Sequence, residues 1–346
     1  MYAAAACPAL ADHRSRCVPG HSQSAIRSVL AADIFTRSVP SGDDVGVSKS
    51  GCLSSFASSS GAARRRKAKI RPPSYPSVMP DGPQVQQSVW DRLAPIYGLA
   101  GPDHFSAYAR RLVEAVPLHQ STLVLDLACG TGALASAVAS AVPFARLVAI
   151  DRSVPMLRRT AQQLSERSAR YAAAAMDAQI LAIADRTFGA VLCGSALDSF
   201  AEPAQALAEM HRVLRPGGSL GLWVAPSWWW QGDARWDWHN DLLVSLGVRV
   251  GQVPAGLAGP VSLRQMIQSA GFQDVQIRAD EFGLRFTDAD EWWQWIWSHG
   301  FRQVVERLPA DQLRTYRKRA LDRIGRGGIE GRMAALIATG ARYGDG

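Results

Sequence analysis

The stretch Leu123-Val-Leu-Asp-Leu-Ala-Cys-Gly-Thr-Gly-Ala-Leu-Ala135 constrains the fold more than any other part of this chain. Its apolar run, Leu123 to Leu127, has the length and character of a strand covered on both faces, as in a parallel sheet. Gly130 and Gly132 follow, where the backbone can turn tightly and approach a ligand that a Cβ would exclude. A helix beginning near Ala133 then aims its free amides and positive dipole end at a carboxylate or phosphate. The whole reads as a nucleotide-cofactor site.

Gly130-Thr-Gly132-Ala-Leu-Ala135 also fits the dinucleotide fingerprint, with Asp151 about 20 residues on, so NAD is an alternative ligand. The surroundings decide. Asp126, at the end of the strand, would accept from an amine or order the loop, but would repel a pyrophosphate. Asp126, Ala128, Cys129, Gly130, Thr131 and Gly132 together match a D-x-A-C-G-T-G motif. In this the sequence resembles the class I S-adenosylmethionine (SAM) methyltransferases.

The resemblance continues in chain order. Leu147 to Ile150 reads as a second strand ending at Asp151, which the resemblance places on the ribose hydroxyls. Arg152-Ser-Val-Pro-Met156 matches the following helix start, implying that Met156 lies against the adenine and that Arg152 borders the cofactor. Asp177 and Ala178, after a weak strand at 171–175, match the adenine contact. Phe188 to Cys193 reads as a fourth strand with Ser195 at its end, and Glu209 to Gly218 as the helix and turn before a fifth at 219–224. The expected fold is therefore α/β: a doubly wound, mostly parallel, seven-stranded Rossmann-like sheet. Its last strands are expected at 274–278 and 283–286, and its cofactor is expected to be SAM.

The segment from Gln86 to Val116 predicts helices that cover the cofactor. Ala94 and Tyr97 match an A-x-x-Y element of the ubiquinone and menaquinone biosynthesis methyltransferases, implying that Tyr97 contacts the cofactor. Gly98 stands where those enzymes carry an aspartate. Lid elements are expected at 86–116, 227–263 and 288–346, around a core at 118–287.

Nine of the 11 tryptophans fall in two clusters, Trp228, Trp229, Trp230, Trp236 and Trp238, and Trp292, Trp293, Trp295 and Trp297. The first follows a strand end where ligands bind in such sheets, so these indoles are expected to wall an apolar acceptor pocket. The second has helical spacing and is expected to pack a cap helix. Methyl transfer chiefly requires alignment of donor and acceptor, and a hydroxyl acceptor also needs a proton acceptor. Candidates are His104, His239, His299 and Asp198. Each also has a structural reading, as a packed histidine or, for Asp198, a helix cap.

The chain carries a net charge of +8, of which residues 1–78 account for +7. The remainder is nearly neutral, so the basic pI is no argument for nucleic-acid binding by the folded part. The tail, residues 1–78, with its Arg64 to Lys69 run, suits disorder or an organellar transit peptide. A third reading begins the protein at Met79. Five cysteines without C-x-x-C spacing argue against disulfides and zinc, and no metal is expected. No stretch is long and apolar enough to span a bilayer. The expectation is a soluble cytoplasmic methyltransferase of secondary metabolism, acting on a small phenolic, polyketide or isoprenoid acceptor at oxygen or carbon. Self-association is left open.

Overall fold

The computed structural model describes residues 89–118, 123–167, 169–225, 234–248, 257 and 259–344. The tail, residues 1–78, and Trp228 to Trp230 lie outside the described residues.

Seven strands form one sheet in the order β3-β2-β1-β4-β5-β7-β6. In chain order these are β1 (Leu123–Leu127), β2 (Arg146–Asp151), β3 (Arg170–Ala175), β4 (Phe188–Gly194), β5 (Leu214–Val224), β6 (Gln273–Phe286) and β7 (Ile329–Ala341). The first five run parallel, with Leu125 beside Val148 on one side and Val191 on the other. Every residue of β1 is buried, because both faces of a parallel sheet are covered by its crossover helices.

Successive side chains of a strand point to opposite faces, and the core divides accordingly. Val124, Ala190 and Leu192 join an apolar cluster on one face, while Leu125, Val191 and Cys193 join another on the opposite face. The first face is covered by α2 (His104–Ala115) and α3 (Ala133–Ala141). The second is covered by α5 (Pro203–Val213) and α7 (Pro260–Ser269). Helix α4 (Val154–Glu166) follows β2, and the short α1 (Val89–Leu93) precedes the sheet.

The first four strands lie where the apolar runs predict them, β5 begins at Leu214 within the stretch expected as a turn, and the end of the sheet differs further. The expected strands at 274–278 and 283–286 are one continuous strand, β6, whose charged middle residues Arg278, Asp280 and Glu281 lie on the sheet's edge. Charge is tolerated there because one side of an edge strand faces solvent. The seventh strand, β7, comes from the segment expected to be lid helix. It fills the slot between β5 and β6, antiparallel to both, pairing Leu222 with Ala338 and Phe286 with Ile329.

Arg342, just beyond β7, is buried and donates from one Nη1 to the carbonyls of His211, Arg212 and Leu214. It thereby satisfies carbonyls that the end of α5 leaves without helical partners.

Between β5 and β7 the chain builds the lid from α6 (Ala234–Ser245), α8 (Ala289–Ser298), α9 (Arg302–Val305) and α10 (Ala310–Ile324). Trp293 packs edge-to-face on Trp297, their ring centroids 5.7 Å apart, as the helical spacing predicts. Trp236 and Trp238 depart from expectation. They lie inside the lid, packing on Phe286 and Trp292 respectively, because α6 turns them toward α8 and β6. No helix among the described residues is long and apolar enough to cross a membrane.

Candidate active site

The strand order reverses between β1 and β4, and in such sheets ligands bind beyond the carboxyl ends of the strands at that point. Two residues at these ends, Ala128 (φ 55°) and Ser195 (φ 52°), adopt the left-handed conformation that non-glycine residues seldom take. Strain of this kind persists where surrounding structure enforces it, and it concentrates at functional sites.

The glycine loop is held from several sides. Asp151 accepts from the Gly130 amide through Oδ2 (2.9 Å) and from the Ser153 amide through Oδ1 (2.8 Å). Thr160 donates its hydroxyl to the Gly130 carbonyl at 2.8 Å. A Cβ on Gly132 (φ 89°) would lie 3.0 Å from Thr160, so the loop passes close over α4. A Cβ on Gly130 (φ 54°) would instead meet no atom within 4 Å, so this backbone borders open space. Thr131 is half-buried beside it.

Asp126 accepts from the Ala135 amide through Oδ2 at 2.9 Å, while its other oxygen, also buried, has no hydrogen-bond partner among the described residues. Burial pushes its carboxyl up to about 7, against the pull of the Ala135 amide and with a further push from Asp151. A buried carboxylate oxygen without a donor favours a ligand that brings positive charge or N–H groups. SAM carries both an ammonium and a sulfonium, so Asp126, Asp151 and the open backbone at Gly130 fit it. A pyrophosphate in the same place would face an unpaired carboxylate.

Other residues expected at the cofactor lie as follows. Asp177 accepts from the Gln179 amide at 2.9 Å, and Arg152 reaches toward it across 3.8 Å from a largely exposed position. Ala178 is buried in the apolar cluster with Leu181 and Val191. Met156, expected against the adenine, is only 1% exposed and packs beneath Leu93 and Ala94 of the cover.

The cover is fastened by hydrogen bonds and an ion pair to α4 and the lid. Arg159 donates from Nη1 to the carbonyls of Ala94 (2.7 Å) and Tyr97 (2.8 Å). Ser153 donates its hydroxyl to Asp91 at 2.6 Å, and the Gly98 amide donates to the Ser298 carbonyl at 3.0 Å. Arg92 pairs with Glu306 of the lid. Ser153 and Gly98 lay within or beside the matched motifs, whereas Arg159, Ser298 and Glu306 carried no signal in the sequence.

Tyr97 lies between α1 and α2, with its carbonyl held by Arg159. Its phenol is pushed above its ordinary pKa by burial and then by the carboxylates of Asp198 and Asp151, which places it within their field. Asp198 itself is exposed, yet desolvation raises its carboxyl. On its other side, the Tyr97 ring lies 5.1 Å from Phe105 and 5.8 Å from His299.

His104 and His299 come together in this aromatic wall. Their centroids are 5.2 Å apart, and Phe105 stacks on His299 at 5.3 Å and 13°. Trp295 closes on both histidines, and Trp223, one of the two tryptophans outside the clusters, lies 5.9 Å from Phe105. Trp223 stands near the end of β5, where its carbonyl accepts from the strained Ser195. Burial lowers the pKa of His104 to about 4, opposed by the Pro102 carbonyl and Asp103. Burial and then repulsion from His104 lower that of His299 to about 3. His239 is not part of this wall. It bonds Tyr316 at 2.7 Å inside the lid, where burial lowers it to about 4.

A family model described as "Methyltransferase domain" matches residues 124–218. Nocamycin O-methyltransferase of Saccharothrix syringae is 30% identical over 240 residues, covering 65% of this chain and 85% of that one. Demethylmenaquinone methyltransferase of Lactiplantibacillus plantarum is 29% identical, over 56% of this chain and 87% of its own. The ubiquinone/menaquinone biosynthesis C-methyltransferase UbiE of Syntrophotalea carbinolica is 31% identical over 40% of this chain and 60% of its own. Together with the glycine loop, its two carboxylates and the sheet order, these similarities place the chain among the class I SAM-dependent methyltransferases, enzymes that use SAM as methyl donor.

Proposed function

We propose that this methyltransferase acts on a small organic acceptor whose body is apolar or aromatic and whose reacting group is a phenol or enol, as in phenolic, polyketide or isoprenoid natural products of secondary metabolism. The observation that carries this reading is the aromatic wall of Tyr97, Phe105, Trp223 and Trp295 with His104 and His299, set at the same strand ends as the glycine loop. Offset and tilted rings of this kind favour a flat, weakly polar partner.

Asp126 and Asp151 would hold the cofactor, with the amide-rich loop around Gly130 beneath it. SAM, when bound, supplies an electrophilic methyl group on a sulfonium. The cover and lid exclude water and fix the acceptor's orientation, which is the main requirement of an in-line displacement. Removal of one hydroxyl proton from a phenol or enol activates both its oxygen and the adjacent carbon. The names of the relatives, one an O-methyltransferase and another a C-methyltransferase, agree with either outcome.

The test is a panel of phenols and enols with purified protein and SAM, followed by Phe105→Ala on the best acceptor. The expected result is a KM for the acceptor raised roughly tenfold, matching about 1.5 kcal/mol of lost apolar contact, with SAM affinity unchanged. An unaltered acceptor KM would place the acceptor elsewhere.

A further inference from the structure

The two histidines of the wall differ from ordinary packed histidines in what their ring nitrogens do. His299 Nδ1 lies 2.9 Å from the Trp295 carbonyl and 3.0 Å from the Ser298 hydroxyl. His104 Nδ1 lies 3.3 Å from the Pro102 carbonyl. A carbonyl only accepts, so in both rings Nδ1 carries the hydrogen and Nε2 carries a lone pair. Neither Nε2 has a hydrogen-bond partner among the described residues. Two imidazole acceptors thus stand side by side, 5.2 Å between ring centres, among the rings of Tyr97, Phe105, Phe282 and Trp295.

We infer that His104 and His299 are the proton-accepting pair of this enzyme, taking the hydroxyl proton of an acidic phenol or enol at Nε2 and holding the acceptor as its anion. This rests on the acceptor reading above and deepens it. In the step, the acceptor's O–H bond breaks and an N–H bond forms on one imidazole. The bonding electron pair stays on oxygen, so an imidazolium and an oxyanion face each other.

At this separation the pair holds one proton and not two, since each charged ring disfavours charge on the other. The other ionisable groups around it are few. Asp103 at the start of α2 favours the charged form of His104. Tyr97 of the cover stays protonated, because burial, Asp198 and Asp151 all oppose its ionisation. Trp295 and Ser298 from α8, Phe105 from α2 and Phe282 from β6 carry no charge.

Desolvation makes these imidazoles weak bases toward bulk water, to about 4 and about 3. They accept a proton only from a partner whose anion then remains beside the new cation. This selects phenols and enols that ionise readily and rejects aliphatic alcohols.

The experiment uses the full chain saturated with S-adenosylhomocysteine and para-nitrophenol as the probe, whose anion and neutral form absorb differently, in buffer below the probe's own pKa. The expected result is a saturable rise in the anion's absorbance with wild-type protein. His104→Gln and His299→Gln lose that rise while keeping S-adenosylhomocysteine affinity, and His239→Gln retains it. Saturable binding of the neutral phenol, or an unchanged rise in both wall variants, would overturn the proton-accepting pair and leave the acceptor site standing. Absence of saturable binding would overturn both.

Discussion

The Gly130 amide donates to Asp151 Oδ2 at 2.9 Å, so the carboxylate ending β2 holds the loop that follows β1. Asp151 therefore shapes the cradle, and the proposed cofactor role asks its remaining lone pairs to accept from SAM. Asp151→Ala is expected to weaken SAM binding by about 1–3 kcal/mol, the range for charge-assisted hydrogen bonds. Calorimetric titration checks this, and equal affinity in the variant would remove Asp151 from the cofactor site.

Asp126 makes a trade between stability and binding. Its folded pKa, raised to about 7 by burial, means that the native state binds the proton more tightly than the unfolded chain does. Its favourable contribution is full below the ordinary carboxylate value and is lost as pH rises toward 7. Asp126→Asn is expected to raise the melting temperature of the ligand-free protein at pH 8, while reducing the further rise that SAM produces. Thermal scans with and without SAM test both halves.

Acid should unfold this protein earlier than its carboxylates alone would require. His104, His239 and His299 are all held neutral by burial, with pKa values of about 4, 4 and 3. The unfolded chain takes up protons first, so stability is intact above about 6.5 and falls as pH drops toward 4, by up to about 1.4 kcal/mol per pH unit per histidine. Urea unfolding at pH 7 and pH 4.5 measures the loss. His239→Gln should shrink it, since a glutamine can still bond Tyr316 without titrating.

Arg159 ties α4 to the cover through two carbonyls. Arg159→Met keeps much of the side chain's bulk but removes the donors. The expected effect is faster amide exchange across residues 94–99 and a stability loss of about 1–3 kcal/mol. Exchange confined to other segments would contradict the role assigned to this guanidinium.

The parts of the molecule legible in the sequence share a physical property: their signal is local. Strands β1 to β5 announce themselves as apolar runs, and the cofactor cradle occupies consecutive residues. β6 did not read as one strand because its charged middle sits on an edge. β7 did not read as a strand at all, since Ala334, Ala335, Ala338 and Gly340 give a buried strand no bulky alternation. The aromatic wall was legible only in fragments. Trp223 and His299 are far in sequence from Tyr97 and Phe105 and from each other, and no periodicity brings them together. His104 and His239 looked alike as candidates, and only their neighbours, an aromatic wall in one case and Tyr316 in the other, separate them.

The pairing of Phe286 with Ile329 at the end of the β6–β7 ladder gives the lid an address. Residues 287–328, which carry Trp295 and His299, leave the sheet and return to it at one rung. The excursion can change length or content without disturbing the register of either strand. On the proposed reading this segment carries Trp295 and His299 of the acceptor wall, while Tyr97, His104, Phe105 and Trp223 stay with the cover and the sheet. A graft of it from a relative, cut at that rung, is therefore expected to move only the part of specificity that Trp295 and His299 set.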